Sequence, residues 1–282
     1  MNTFSKVELN NNNRRLKIKL SGIDWSIISA DKTMLFDAIC DLILNVNNLY
    51  YYASCKSYSM TLEDITKHIE ILTDNSLLLT DLKDIFTCIG WIPSPSLDNT
   101  VFQGDLSELL MCILVDKLEI SNTLISNVYL KTAPGSAAHG NDNIFYDYKK
   151  KILYYGESKF YESLDTGLTR AYSSLKTHAS NENEISYIRT HSTTFIAENA
   201  ISRQQLQQAL ENVRPGDYSL SSITFVMEED KFLKAEIESI LSSHTGFDSN
   251  DEPFKECIII VFPILKKQEF LKHFLRRVGE LV

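Results

Sequence analysis

Near the start of the chain, apolar and polar residues alternate. Val7 and Leu9 flank Glu8, and Leu16, Ile18 and Leu20 alternate with Lys17 and Lys19, with four asparagines (10–13) between the two runs. A period of two is that of a half-buried strand, and asparagine tolerates the left-handed backbone of tight turns, so the segment predicts a β-hairpin. The period then lengthens. Met34, Leu35, Ala38, Ile39, Leu42, Ile43 and Val46 lie on one face of an amphipathic helix. Two more helices are predicted, one over Leu62, Ile65, Ile69 and Leu72, opened by Thr61 with Asp64 three residues later, and one over Leu82, Ile85, Phe86 and Ile89. Pro93, Ser94 and Pro95 break the pattern and mark the expected boundary between a hairpin-plus-helical region, 1–95, and a second domain, 96–282.

The second region mixes both periods. Leu106, Leu109, Leu110, Ile113 and Leu114 make a helix, and 128–130 a short strand. A loop of small residues, 134–142, leads into two apolar, β-rich runs, 144–148 and 152–159, joined by lysines. A helix follows on Leu164, Leu168, Ala171 and Leu175, then a helical stretch at 206–213 and strands at 223–227 and 258–262. Phe270, Leu271, Phe274, Leu275, Val278 and Leu281 form the face of a closing helix. This order predicts an α/β fold, and the continuous apolar runs predict a sheet covered on both faces.

Composition narrows the class. The chain has 282 residues, 44% of them hydrophobic and 23% charged, with Gly 10 and Pro 6, which excludes collagen-like and low-complexity chains. At about 150 residues per domain the length suits about two domains. The net charge of −9 argues against whole-surface attraction to nucleic acid or anionic lipid. Five cysteines (Cys40, Cys55, Cys88, Cys112 and Cys257) have no metal spacing and sit among apolar neighbours, as buried thiols do. The longest apolar run, 257–265, is far short of a membrane span of about 20 residues, and no signal peptide opens the chain, so a soluble cytoplasmic protein is expected.

Candidate chemistry gathers around 138–161. Glu157 and Lys159 are two apart on a predicted strand and therefore share a face. With an even-numbered turn between the two runs, paired residue numbers sum to 299 and Asp142 lies opposite Glu157, with Cβ atoms about 5 Å apart; an odd turn puts them on opposite faces. Facing carboxylates repel, and a divalent cation or a shared proton is the usual relief. Hard oxygens at this spacing suit Mg²⁺, and a lysine beside it can orient a water, deprotonate it, or neutralise charge developing on phosphorus. The arrangement points to metal-assisted phosphodiester hydrolysis. Residues 131–176 carry seven basic and five acidic side chains, a basic island in an acidic chain. Within it Lys149, Lys150 and Lys151 read either as DNA contacts or as a solvated turn.

These residues also carry a resemblance. Asp142 followed by Glu157-Ser158-Lys159 resembles the D…ExK core of the PD-(D/E)XK nucleases, with Glu108 matching the acid on the helix before the sheet and Asn141 standing where the superfamily name has proline. The longer string, His139 to Asp142 with Gly156 to Tyr161 and the Pro263-containing strand, resembles the DUF1837 family, which includes the HamA nuclease effectors of the Hachiman anti-phage defence system. The resemblance covers about residues 100–280. It implies a restriction-endonuclease-like core, a mixed sheet flanked by helices. It further implies Asp142 and Glu157 as Mg²⁺ ligands (Mn²⁺ as substitute), the Ser158 carbonyl as a further metal oxygen, Glu108 as outer ligand, and Lys159 as the catalytic lysine. The substrate would be DNA, and a HamB-like helicase would be the partner that restrains and releases the enzyme. Arg170 and Lys176, on the polar side of the next helix, would track phosphates; His139 reads as a loop brace or a phosphate contact, and Phe160 and Tyr161 as core. The first 95 residues are offered as the partner's docking surface.

Two other readings compete. A non-catalytic module could use the same fold as a scaffold or to recognise DNA ends, but all three core residues are present. A different enzyme could use the carboxylate pair, but no Gly-rich phosphate loop, HExxH, GxSxG or Cys/His pair supports one.

Overall fold

Strand-forming residues in long apolar runs need partners on both edges and both faces, and the chain supplies them with one seven-stranded mixed sheet. The computed structural model describes residues 4–9, 16–23, 32–44, 100–117, 120, 124–125, 142–147, 150–161, 163–179, 217–228, 239, 253–263 and 266–280. The predicted helices at 62–72, 82–89 and 206–213, the strand at 128–130, the boundary at 93–95, His139 and Lys149 lie outside these residues.

The elements are β1 (Phe4–Leu9), β2 (Leu16–Ile23), α1 (Lys32–Ile43), α2 (Thr100–Lys117), β3 (Leu124–Ile125), β4 (Asn143–Asp147), β5 (Ile152–Tyr161), α3 (Leu164–His178), β6 (Ser219–Glu228), β7 (Cys257–Pro263) and α4 (Lys267–Glu280). Across the sheet the order is β1-β2-β7-β6-β5-β4-β3. Strands β2, β7, β6 and β5 run parallel, and antiparallel pairs finish both edges. The N-terminal hairpin forms as its alternation predicts, and it does not stand apart: β2 pairs with β7 and extends the same sheet.

The two faces follow the strand alternation. On one side Phe145, Tyr154, Phe225 and Ile260 pack into a single core with α1, α2 and α4. On the other, α3 lies across β5 and β6 with Leu164, Leu168, Ala171 and Leu175 buried. Strand β7 is buried from Cys257 to Phe262, as a central strand covered on both faces should be. Cys40 and Cys257 are buried free thiols, and burial pushes the Cys40 thiol up to about 12.

Two glycines set close approaches. A Cβ on Gly156 would lie 2.8 Å from the Phe145 ring, and one on Gly167 would lie 2.7 Å from Val226 Cγ1. The first lets β4 and β5 pair beside the candidate residues, and the second lets α3 seat directly on β6.

Candidate active site

The β4–β5 hairpin decides the geometry. Its pairs run from Asn143↔Gly156 to Asp147↔Ile152, all summing to 299, which is the register of an even number of residues between the strands. One residue before the first of these pairs, Asp142 lies close enough to Glu157 for its charge to raise the Glu157 pKa. Lys151 closes the turn with φ 53°, and Asp147 caps it by accepting from the Lys150 backbone N–H at 3.0 Å and pairing with the Lys150 ammonium at 3.0 Å.

Asp142 is held at the mouth of the strands. Its Oδ2 accepts the Ser158 backbone N–H at 2.8 Å and the Ser158 hydroxyl at 3.2 Å. The Ser158 hydroxyl also lies 3.0 Å from that of Ser107, a buried residue of α2. A strand residue's N–H and C=O point to the same edge, so the Ser158 carbonyl faces the side on which Asp142 sits. Asn143, buried next to Asp142, donates to the Glu108 carbonyl at 3.5 Å and ties α2 to the hairpin at this level.

Glu157 lies beneath, only 3% exposed. One carboxylate oxygen, Oε1, accepts from the Lys159 ammonium, while Oε2 is buried with no hydrogen-bond partner. Lys159 also lies 3.7 Å from Asp142 Oδ2, so one cation bridges both carboxylates. Burial, with the charge of Asp142 added, pushes the Glu157 carboxyl up to about 7 against the partial relief of Lys159 and the Ser174 hydroxyl. For Lys159, burial works against the charge, but Asp142 and Glu157 outweigh it and hold its pKa above the ordinary lysine value. The ammonium therefore stays charged.

These groups open onto a cleft of about 550 Å³ at the carboxyl end of β5, where open α/β sheets usually place their ligands. Glu108, Asp142, Ser158 and Lys159 line it, together with Ser107, Phe160, Tyr161, the α3 cap residue Ser163, and Lys267. The sequence-predicted residues Asp142, Glu157, Ser158, Lys159 and Glu108 thus meet at one place. The other predicted basic residues do not join them. Lys150 and Lys151 sit at the opposite end of the hairpin, about 20 Å along the strand from Glu157. Arg170 and Lys176 are exposed on α3, Lys176 with its ammonium 5.8 Å over the Tyr172 ring. Among the described residues no three of His, Cys, Asp and Glu cluster as a metal-holding group. A Mg²⁺ site does not require three, because water and substrate oxygens complete its shell.

A model of the HamA family matches residues 5–278, nearly the whole chain. The chain belongs to the HamA family. Membership places this HamA chain among the effectors of the Hachiman anti-phage defence system. No curated protein matches the chain. The match includes the N-terminal hairpin, in keeping with its place in the sheet of this HamA protein. Among the described residues no helix is long and apolar enough to cross a membrane.

Among the residues lining the cleft of this HamA chain that sequence reasoning missed are Ser107 and Lys267. Ser107 is adjacent to Glu108, and only the contact with Ser158, 51 residues away, distinguishes it. Lys267 opens α4 and reaches the Phe160 carbonyl across 107 residues of chain. No local pattern signals either one.

Proposed function

We propose that the chain is a metal-dependent DNA endonuclease with a PD-(D/E)XK core, the cytoplasmic effector of a Hachiman system, restrained and released by a helicase partner. The observation that carries this reading is the meeting of Asp142 and Lys159 on the cleft wall with the buried Glu157 behind them, whose carboxylate oxygen Oε2 has no hydrogen-bond partner.

That orphaned oxygen, beside a second carboxylate whose charge already raises the Glu157 pKa, fits a hard dication, which relieves both the desolvation and the repulsion. The groups that would hold it are all oxygen donors: Asp142, Glu157 and the Ser158 carbonyl, with Glu108 as an outer ligand. When bound there, Mg²⁺ (or Mn²⁺) would supply Lewis-acid chemistry, polarising the phosphate and lowering the pKa of a water. The remaining roles belong to the chain. Ser158, through its N–H and hydroxyl, fixes the orientation of Asp142. Lys159, charged and held between two carboxylates, donates to a phosphate oxygen and stabilises charge developing on phosphorus, rather than serving as a base. The hydroxyl of Ser107 braces that of Ser158 from α2.

An acidic chain has little general attraction for DNA, which suits an effector brought to DNA by its partner. The test is cleavage of plasmid and linear DNA by the full-length chain, alone and with its helicase partner, in Mg²⁺ against EDTA. Metal-dependent cutting that falls at least a hundredfold in folded Glu157→Ala and Lys159→Ala variants is expected. Absence of cutting in every condition, partner included, would favour a scaffold role for the same fold.

A further inference from the structure

We propose that Lys267 provides a second phosphate-binding position in the cleft, holding a DNA backbone phosphate that flanks the one lying against Asp142 and Lys159. The inference rests on the nuclease reading for its ligand, but the geometry behind it is separate.

Among the described residues, two cationic side chains line the cleft, Lys159 and Lys267. The positive charge of Lys159 is already balanced by Glu157 and Asp142 even where its ammonium donates to the reacting phosphate, and Glu108 adds another acid to the same wall. A DNA strand carries a negative charge at every phosphate, so a strand entering here needs a counter-charge away from the carboxylates. The turn lysines Lys150 and Lys151 cannot supply it, since they lie at the far end of the hairpin.

Lys267 is also preorganised. Its ammonium donates to the Phe160 carbonyl at 3.1 Å and sits 4.3 Å above the Phe160 ring. The charge is thereby anchored to β5 immediately after Lys159, on the strand that carries the candidate catalytic pair. An ammonium has three donors and acts as a compact point charge, which suits a phosphate oxygen. The position is otherwise a poor one for a cation. Lys267 stands in the first turn of α4, at the positive end of the helix dipole, where helix stability favours acids such as Glu269.

The test measures DNA binding by fluorescence anisotropy, using a labelled DNA duplex with the full-length chain in Ca²⁺ over a range of salt. Wild type is compared with Lys267→Met, Lys267→Gln and Lys267→Arg, and cleavage in Mg²⁺ is followed in parallel. Lys267→Gln keeps a donor for the Phe160 carbonyl and guards against a methionine variant that fails to fold. The expected result is affinity weakened about fivefold in the Met and Gln variants, with the slope of log K against log salt reduced by about one. Arginine should restore most of the affinity, and cleavage should show a raised KM at nearly unchanged kcat. Unchanged affinity and slope in folded Met or Gln variants would overturn the proposal, and a fall in thermal midpoint alone would make Lys267 a staple between α4 and β5. Lys267-dependent binding without cutting in Mg²⁺ would overturn the nuclease reading and leave the phosphate position standing. Wild type that binds no DNA, alone or with its partner, would overturn both.

Discussion

Glu157 and Lys159 constrain each other, and their pairing fixes how the metal-free site responds to pH. The Glu157 carboxyl, at about 7 in the fold, lies above its ordinary value of 4.5, so the folded chain binds that proton more tightly than the unfolded one. Its stabilising contribution is therefore complete below about 4.5 and is lost as pH rises through about 7. In EDTA the thermal midpoint should fall across this window, and Glu157→Gln should flatten the dependence. A cation at the site replaces the proton, so Mg²⁺ should raise the midpoint more at pH 8 than at pH 5. At ten times its Kd the gain is about 1.4 kcal/mol, or about 3 °C for a chain of this size. A midpoint that ignores both pH and Mg²⁺ in wild type would count against a metal site here. Lys159→Met should remain folded, because Glu157 can take up a proton when its cation is removed, yet lose more stability at pH 8 than at pH 6.

At the scale of elements, the site depends on how closely α3 seats on the sheet. Gly167 meets the side chain of Val226, a buried β-branched residue with little rotamer freedom. Gly167→Ala must push α3 away from β6, at a cost of about 1–3 kcal/mol, and carries Ser174 away from Glu157. Activity should fall with stability, and the double variant Gly167→Ala/Val226→Ala should recover part of both, because the second substitution removes the obstructing methyls. A double variant no better than Gly167→Ala alone would sink this account of the packing. The local parts of this architecture were legible in the sequence. Hairpin register depends on turn parity, so the sequence offered two arrangements, and the observed pairs are those of the even turn, whose sum of 299 was the one that sets Asp142 beside Glu157. The helix face of Leu164, Leu168, Ala171 and Leu175 was equally plain. The parallel order β2-β7-β6-β5 was not, because the runs at 223–227 and 258–262 have the same buried texture and long connections separate the partners. Glu108 could be picked out only through the family resemblance, and Lys267 through nothing local, since its partner Phe160 is 107 residues distant.

For the whole molecule, the question is whether the N-terminal segment can be separated from the site it accompanies. Strand β2 pairs with β7 over five residues, and β7 is buried from Cys257 to Phe262. Helix α1 locks onto α4, with Phe36 packed edge-on against Phe270 at 5.6 Å and Arg277 bridging Asp37 at 3.0 Å and Asp41 at 2.7 Å. The ion pairs are partly exposed and contribute little, about 1 kcal/mol or less each, whereas Phe36, Ile39 and Ile43 belong to the common core. A fragment of residues 96–282 therefore loses the helix that covers α4 and the strand that pairs with β7. It exposes an apolar strand edge of the kind that templates aggregation. The expected outcome is an insoluble fragment, or one that binds a hydrophobic dye and melts without cooperativity, and the same fragment should regain solubility when residues 1–95 are supplied in trans. A soluble fragment with a sharp thermal transition would show that the hairpin is an appendage, and only then could deletion of the N-terminal region report on partner docking. Otherwise docking has to be probed by surface substitutions that leave the sheet intact, with Arg277→Ala as a control that should lower the midpoint by only a few degrees.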